Sequence, residues 1–231
     1  MEIRRGLRFL VLSACVGALL FSSLQVVFAD ELLIENPGNK DVWKYRGGSS
    51  HLGKVIKQDP RPERQGTYEV AQSFKLSSDA MITVIEFYIV VATGKPCITG
   101  VDLELHGDHK GRPSKLLVNS NARISIGPLK KGGFQSFEFD KPVVLKKGIP
   151  YWIVLNKPDK PGEEYAYSVP NSIKDVDEEG IPMPKDWYPD GKASCRLNSL
   201  TTGQGKWGYG VGPSQDYYFR IFGATVLHES K

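Results

Sequence analysis

Four aromatic side chains in a long segment rich in glycine and proline are the residues best suited to bind a ligand. The segment spans residues 170–214. Flat rings held on a loop stack on the apolar C–H faces of sugars, while neighbouring Asp, Asn and Lys side chains bond the hydroxyls. The alternative is that the rings only pack the loop against the rest of the protein. The four candidate ligand-binding residues are Trp187, Tyr188, Trp207 and Tyr209.

An acidic cluster in the same segment offers oxygen ligands for a metal ion. Asp175, Asp177 and Glu179 precede Gly180, and Ca²⁺ prefers carboxylate oxygens. The spacing is only a fragment of a complete calcium-binding loop, so an acidic turn in contact with solvent is the favoured interpretation. We expect no cofactor, with a structural calcium ion as the alternative.

A second polar group lies where a predicted strand ends in a turn. It comprises Asp102, His106, Asp108 and His109. Such residues are metal ligands, but a site needs three or four groups that converge, and side chains along a strand and its turn diverge. The pattern therefore favours a polar hairpin tip.

No catalytic motif accompanies these residues. The sequence has no G-x-S-x-G motif and no supported Cys–His arrangement. We expect a protein that is not an enzyme. A polysaccharide hydrolase or lyase is the alternative, because its paired carboxylates are defined by their separation in space and not by a sequence motif.

The elements that position these residues are predicted to be strands. Short apolar or alternating runs separated by Gly- and Pro-rich turns recur along the chain, and helical periodicity is nearly absent. This pattern is typical of an all-β antiparallel β-sandwich, jelly-roll-like, here with one long aromatic-containing loop. Prominent strand candidates span residues 67–75, 81–91, 101–106, 151–155 and 216–222.

Two of these runs carry a prediction about their faces. Residues 81–91 are apolar at both odd and even positions, which predicts a central strand covered on both sides. Val101, Leu103 and Leu105 alternate with polar residues, which predicts a half-buried strand with one solvated face. In the last strand, Tyr217 shares a face with the apolar side chains two and four residues later.

The first 29 residues have the form of a bacterial secretory signal peptide. Arg4, Arg5 and Arg8 precede an uncharged apolar run, and Val27 and Ala29 occupy the −3 and −1 positions of a cleavage site. A membrane anchor is the alternative for a run of this length. We expect a secreted or periplasmic protein with no membrane span after cleavage.

Composition limits the class of protein further. The chain has 231 residues, a formal net charge of +4, 24% charged residues and 3 Cys. These values exclude a collagen, a disulfide-dense miniprotein and a largely disordered chain, and they provide no basic footprint for nucleic acid. After cleavage, Cys97 and Cys195 remain. Export permits a disulfide between them, and the alternative is two separately buried thiols.

The predicted organisation has one folded domain. Residues 1–29 form the signal peptide, residues 30–66 an N-terminal arm with one strand near 42–45, and residues 67–226 the sandwich. The segment 170–214 is an insertion in that domain, and residues 227–231 form a C-terminal tail.

An ordered string of strand and turn motifs resembles a known family. It includes Gln72-Ser73-Phe74, Gly111-Arg112-Pro113, the run at 141–148, the run at 151–155 and the run at 216–223. This order resembles secreted bacterial β-sandwich domains of the choice-of-anchor type, a family of largely unknown function. The resemblance covers residues 67–223 and implies the fold, and it includes no catalytic motif.

Together these features predict a secreted, non-catalytic binding module with carbohydrate as the ligand. The alternative is a structural or interaction protein of the cell envelope or extracellular matrix that binds another protein, because edge strands of a sandwich can pair with a partner strand.

Overall fold

The computed structural model describes residues 30–36, 49–55, 61–91, 97–161, 166–170, 190–201, 203, 205–208 and 216–226. These ranges contain strands and one short 3-10 helix, Pro62–Arg64. In them, no helix has the length and apolar character needed to span a membrane.

The strands are β1 (Glu31–Asn36), β2 (Ser49–Val55), β3 (Gly66–Phe74), β4 (Ala80–Ile89), β5 (Val101–Asp108), β6 (Pro113–Leu117), β7 (Arg123–Ile126), β8 (Gly133–Leu145), β9 (Tyr151–Asn156), β10 (Tyr167–Pro170), β11 (Ala193–Ser199) and β12 (Phe219–Thr225).

Two antiparallel sheets pack on each other, so the predicted all-β sandwich is confirmed. The smaller sheet has the order β1-β12-β4-β8. In the larger sheet, β3 lies between β9 and β11, because Gln72 pairs with Ile153 on one side and Ala193 on the other. In the same sheet β5 lies between β9 and β7, through Leu103. The strands β2 and β10 extend this sheet beyond β3.

The core fills the space between the sheets. Strands alternate their side chains between two faces, so one parity of each strand enters the core. Leu103 of β5 and Ile153 of β9 lie in the same core cluster as Phe87, Phe137 and the inward side chains of β12, and all are fully buried. The inward β12 side chains are Phe219 and Ile221. The predicted inward set on β12, which begins with Tyr217, is confirmed, since Tyr217 also has no exposed surface.

Strand β4 corrects one prediction about its faces. It is central, between β12 and β8, but only one of its faces is buried. A register shift between Ile82 and Val84 inserts an extra residue, so Ile82 and Ile85 both enter the core. Val84 and Tyr88 lie on the other, half-exposed face. The bulge explains why the sequence is apolar at both parities.

The expected N-terminal arm contributes a strand to each sheet. β1 pairs with β12 along the edge of the smaller sheet, and β2 pairs with β3 and β10 in the larger one. These strands are short and partly polar, which hides them from a search for apolar alternation. The strand expected at 42–45 lies outside the described residues.

The expected long loop contains a strand. β11 pairs with β3 over its whole length, from Ala193 opposite Gln72 to Ser199 opposite Gly66. Its buried residues include Cys195 and Leu197, and Arg196 between them points to the other face. This strand lies within the 170–214 segment and belongs to the larger sheet.

The two cysteines are buried thiols with no disulfide between them. Cys97 follows β4, and Cys195 lies on β11. The structure therefore has the second of the two predicted arrangements. Burial raises the pKa of Cys195 to about 12, despite a hydrogen bond with Ser50 that acts in the opposite direction. A thiol with this pKa stays neutral near pH 7 and is a poor nucleophile.

Candidate functional site

The outer face of the larger sheet, turned away from the smaller sheet, carries a row of polar side chains on β5. Asp102, Glu104, His106 and Asp108 alternate with the buried Val101-Leu103-Leu105 set. The inward half of this prediction is confirmed. The expected solvated face is wrong, because Asp102 and His106 are buried and Glu104 is only partly exposed.

Ion pairs within the sheet explain how this polar face becomes buried. Arg123 of β7 donates to Asp102 at 2.7 Å and lies 3.4 Å from Glu104. The hydrogen bond to Asp102 raises the pKa of Arg123. The His106 ring lies 2.9 Å from Glu104 and 3.0 Å from the carbonyl oxygen of Ser114. These contacts tie β6 and β7 to β5 through side chains as well as through the sheet.

The same contacts occupy the residues that could have formed a metal site at the hairpin. Asp102 is bound by Arg123, and His106 by Glu104 and Ser114. Among the residues that the structure describes, no group of three or more His, Cys, Asp or Glu side chains converges as a metal site. The predicted calcium ligands Asp175, Asp177 and Glu179 lie outside those residues.

The contribution of Glu104 to the stability of the fold should depend on pH. The hydrogen bond from His106 is the main cause of a lowered pKa for Glu104, and desolvation opposes it. A carboxylate with a lowered folded-state pKa stabilises the fold above its unfolded pKa, and this contribution is lost as the pH falls through the folded-state pKa.

We expect Glu104→Gln to lower the free energy of unfolding by about 1–2 kcal/mol at pH 7, because charge-assisted hydrogen bonds are lost. The difference in the free energy of unfolding between the variant and the wild type should disappear below about pH 4. Urea titrations from pH 7 to pH 3 measure it. Glu138→Gln, an exposed position on β8, is the control and should change little. A gap that stays constant down to pH 3 would contradict this assignment.

The β5–β6 turn is bound to a buried tryptophan at the end of the polar row. Trp152 of β9 lies opposite His106 in register, and its indole N–H donates to Asp108 at 2.8 Å. The second Asp108 oxygen accepts from the Gly111 backbone N–H at 3.0 Å. Gly111 has a φ of +74°, and a side chain added there would begin 2.9 Å from the ammonium of Lys192. The predicted turn is confirmed, and Asp108 fixes its position.

A second tryptophan borders the cluster that contains the first. Trp207 packs against the cluster of Ala71, Trp152 and Val154, and remains partly exposed. The guanidinium carbon of Arg196 lies 4.7 Å from its ring centroid, within the range of a cation–π contact. The backbone N–H of Gly208 donates to the carbonyl of Cys195 at 3.0 Å, which holds the residue after Trp207 against β11.

Glu69 of β3 orients the arginine beneath Trp207. Its carboxylate accepts from Arg196 and, at 3.3 Å, from the side-chain amide of Asn198. Arg196 Nε and Asn198 Oδ1 are buried, and no hydrogen-bond partner for either exists in the described part of the chain. Unsatisfied buried polar atoms are uncommon, so this face of β11 holds a donor and an acceptor that the described residues leave unpaired.

We call Trp152, Trp207, Lys192 and Arg196 the tryptophan surface. Of the four aromatic residues predicted to bind a ligand, Trp207 lies here. Trp187, Tyr188 and Tyr209 lie outside the described residues. The sequence prediction missed Arg196. The alternation of Ser194, Arg196 and Asn198 with buried neighbours would have indicated a strand with an outward arginine.

Trp152 lies within the apolar run of β9. It is buried, with 1% of its surface exposed, but it lies on the outer face and not between the sheets. Residues at one parity of β9 enter the core, and Trp152 has the other parity.

No model of a known protein family matches the chain, and no curated protein is significantly similar to it.

Proposed function

We propose that the protein is a secreted, non-catalytic β-sandwich module that binds carbohydrate at the tryptophan surface. The observation that carries the proposal is Trp207, a partly exposed ring stacked with Arg196 on the outer face of the larger sheet. A fixed aromatic ring stacks on the C–H face of a sugar at a low cost in side-chain entropy.

Polar groups on the strand face that carries Arg196 support the same ligand class. Arg196 Nε, a donor, and Asn198 Oδ1, an acceptor, have no hydrogen-bond partner among the described residues. Both atoms are buried, so an ordered water that hydrogen-bonds to a sugar hydroxyl is the group that can bridge to them. Asp190, two residues before Lys192, and Lys206, next to Trp207, are also exposed.

The non-catalytic part of the proposal is supported by how the potential reactive groups are used. Cys195 is a buried thiol whose pKa is about 12. The acidic groups of β5 are engaged, Asp102 with Arg123 and Glu104 with His106. Carboxylates already engaged in hydrogen bonds within the sheet are poor candidates for general acid catalysis.

Secretion rests on the charged start and apolar run of residues 1–29, with cleavage after Ala29. The resemblance to secreted bacterial choice-of-anchor domains indicates the same compartment. Both remain predictions, which mass spectrometry of the exported protein tests by locating its N-terminus.

The purified protein is titrated with each member of a panel of soluble neutral and acidic glycans. We expect one of them to cause a saturable change in tryptophan fluorescence. Trp207→Ala should weaken binding by about tenfold or more, about 1.4 kcal/mol, because the apolar face of the sugar loses the ring on which it stacks. Calorimetry gives the affinity in parallel.

Two variants make this test specific. Trp207→Phe keeps a stacking ring and should retain part of the affinity. Leu200→Ala removes another exposed apolar side chain, 59% exposed, just after β11, and should leave binding unchanged. Binding that is equal in wild type and Trp207→Ala, or no binding to any glycan in the panel, would overturn the proposal.

A protein-binding role is the second candidate, and β6 favours it. Leu116 on this strand is 77% exposed, and the only strand with which β6 pairs in the described part of the chain is β5. An open edge can accept a partner strand. Leu116→Lys should abolish co-purification of an envelope protein from the native host under this alternative, and should have no effect on glycan binding.

A further inference from the structure

Lys192 places a positive charge on the tryptophan surface. Its ammonium lies 5.7 Å from the ring centroid of Trp152, which belongs to the cluster against which Trp207 packs. The cation and the Trp207 ring therefore border the same apolar cluster. Lys192 is exposed, so its charge is accessible to a ligand.

Two further cations flank the same position. The ammonium of Lys192 lies against Gly111, the centre of the β5–β6 turn. Lys110 and Arg112 are the residues on either side of this glycine, and both are exposed. Lys110 has a φ of +53°, a backbone conformation that residues other than glycine seldom adopt. The turn therefore carries two exposed basic residues next in sequence to the glycine that Lys192 approaches.

The acidic groups nearby do not neutralise these cations by direct pairing. Asp108 uses one oxygen for Trp152 and the other for Gly111. Asp190 is exposed, two residues before Lys192. Among the described residues, no ion pair joins a carboxylate to Lys110, Arg112 or Lys192.

We propose that the bound glycan is acidic and that its carboxylates are bound by Lys192 and Arg112. A uronic acid residue presents both features that this surface complements, an apolar C–H face for Trp207 and a carboxylate for the adjacent cations. Arg112 can bind a carboxylate through two parallel hydrogen bonds. This inference rests on the proposed function and names the ligand class of the same site.

The test compares acidic polymers with neutral versions of the same backbone. The purified protein is titrated by calorimetry with polygalacturonate, alginate and hyaluronan, and with each polymer after reduction of its carboxylates to alcohols. We expect one acidic polymer to bind, its reduced form to bind at least about tenfold more weakly, and 0.5 M salt to weaken binding of the acidic form.

Three variants distinguish the effect of these two cations from the effect of the net charge of the protein. Lys192→Gln and Arg112→Gln should each weaken binding of the acidic polymer several-fold, and should weaken binding of its reduced form much less. Lys141→Gln, an exposed lysine on β8 of the smaller sheet, is the matched control and should have no effect. Thermal melts establish that all three variants fold.

The outcomes distinguish this inference from the proposed function. Equal affinity for acidic and reduced polymers, still dependent on Trp207, overturns the acidic ligand and keeps the glycan module. Weakening by Lys141→Gln equal to that by Lys192→Gln also overturns the inference, because binding then follows net charge alone. Failure of every acidic and neutral polymer to bind overturns the proposed function and this inference with it.

Discussion

Phe219→Ala is expected to lower the free energy of unfolding by about 3–5 kcal/mol, the range for removal of a large buried ring. Phe219 has no exposed surface and lies on β12, between β1 and β4 in the smaller sheet. Its ring centroid lies 6.5 Å from that of Phe87, its partner in register on β4. Truncation leaves a cavity between two sheets whose backbones are held by pairing and cannot close around it.

The same strand provides a matched control. Phe222 lies beyond Phe219 on β12 and is only partly buried. Phe222→Ala should cost about 1 kcal/mol, because less apolar surface is lost and solvent fills the space. Urea titrations followed by circular dichroism measure both variants, and Phe219→Leu should recover most of the loss. Equal destabilisation by Phe219→Ala and Phe222→Ala would contradict the assignment of faces on β12.

The contrast between these two positions shows what local sequence predicts well. The core-facing residues of β5 and of the first half of β12 follow from alternation alone, because the apolar side chains of each run occupy one parity. The turn at Gly111 follows from glycine at a position that needs a positive φ. Such features depend on residues within a few positions of one another, so they can be predicted without knowledge of the fold.

Features that depend on distant partners could not be predicted in this way. The face of β5 that carries Glu104 was expected to be solvated, because its cover comes from Arg123 on another strand. The strand β11 was hidden in a glycine- and proline-rich segment, and its partner β3 lies more than a hundred residues earlier. Arg196 meets Glu69 and Trp207 only after that pairing has formed.

The candidate site also combines a residue that the sequence could indicate with residues that it could not. Trp207 could be proposed from residue type and context, because an aromatic ring among Gly and Lys residues is suited to stacking. Lys192 and the turn that carries Arg112 could not be associated with it. Their contact depends on β9 bringing Trp152 between β11 and β5. A surface formed by four strands is a property of the topology, and alternation does not reveal strand order.

A buried polar network on the inner side of the larger sheet leads to the second large effect. Gln72 of β3 has no exposed surface. Its side-chain amide donates to Asp216 at 2.8 Å, and its oxygen accepts from the Tyr217 backbone N–H at 2.8 Å. The Tyr217 hydroxyl donates to Ser50 of β2 at 2.7 Å. Burial raises the pKa of Tyr217 well above its usual value, so this hydroxyl stays protonated and remains a donor.

Gln72→Leu should lower the free energy of unfolding by about 2–4 kcal/mol, although the side chain keeps its approximate volume. The variant leaves the Tyr217 N–H without its acceptor and removes a donor from the buried Asp216, and unsatisfied buried groups carry their full desolvation cost. Gln135→Leu is the control. Gln135 is partly exposed and bonds only nearby carbonyls, those of Lys131 and Gly133, so its loss should cost less than about 1 kcal/mol.

Gln72→Glu separates the loss of hydrogen bonds from the effect of charge. It places a second carboxylate beside Asp216, and two buried carboxylates at hydrogen-bond distance cannot both ionise readily. The folded-state pKa of the pair is then raised, so the variant should be weakest at pH 7 and should regain stability relative to the wild type as the pH falls toward 4. A penalty for Gln72→Glu that does not change between pH 7 and pH 4 would contradict the contact with Asp216. Because Gln72 belongs to the larger sheet and Tyr217 leads into β12 of the smaller one, this contact determines how one end of the two sheets is held together.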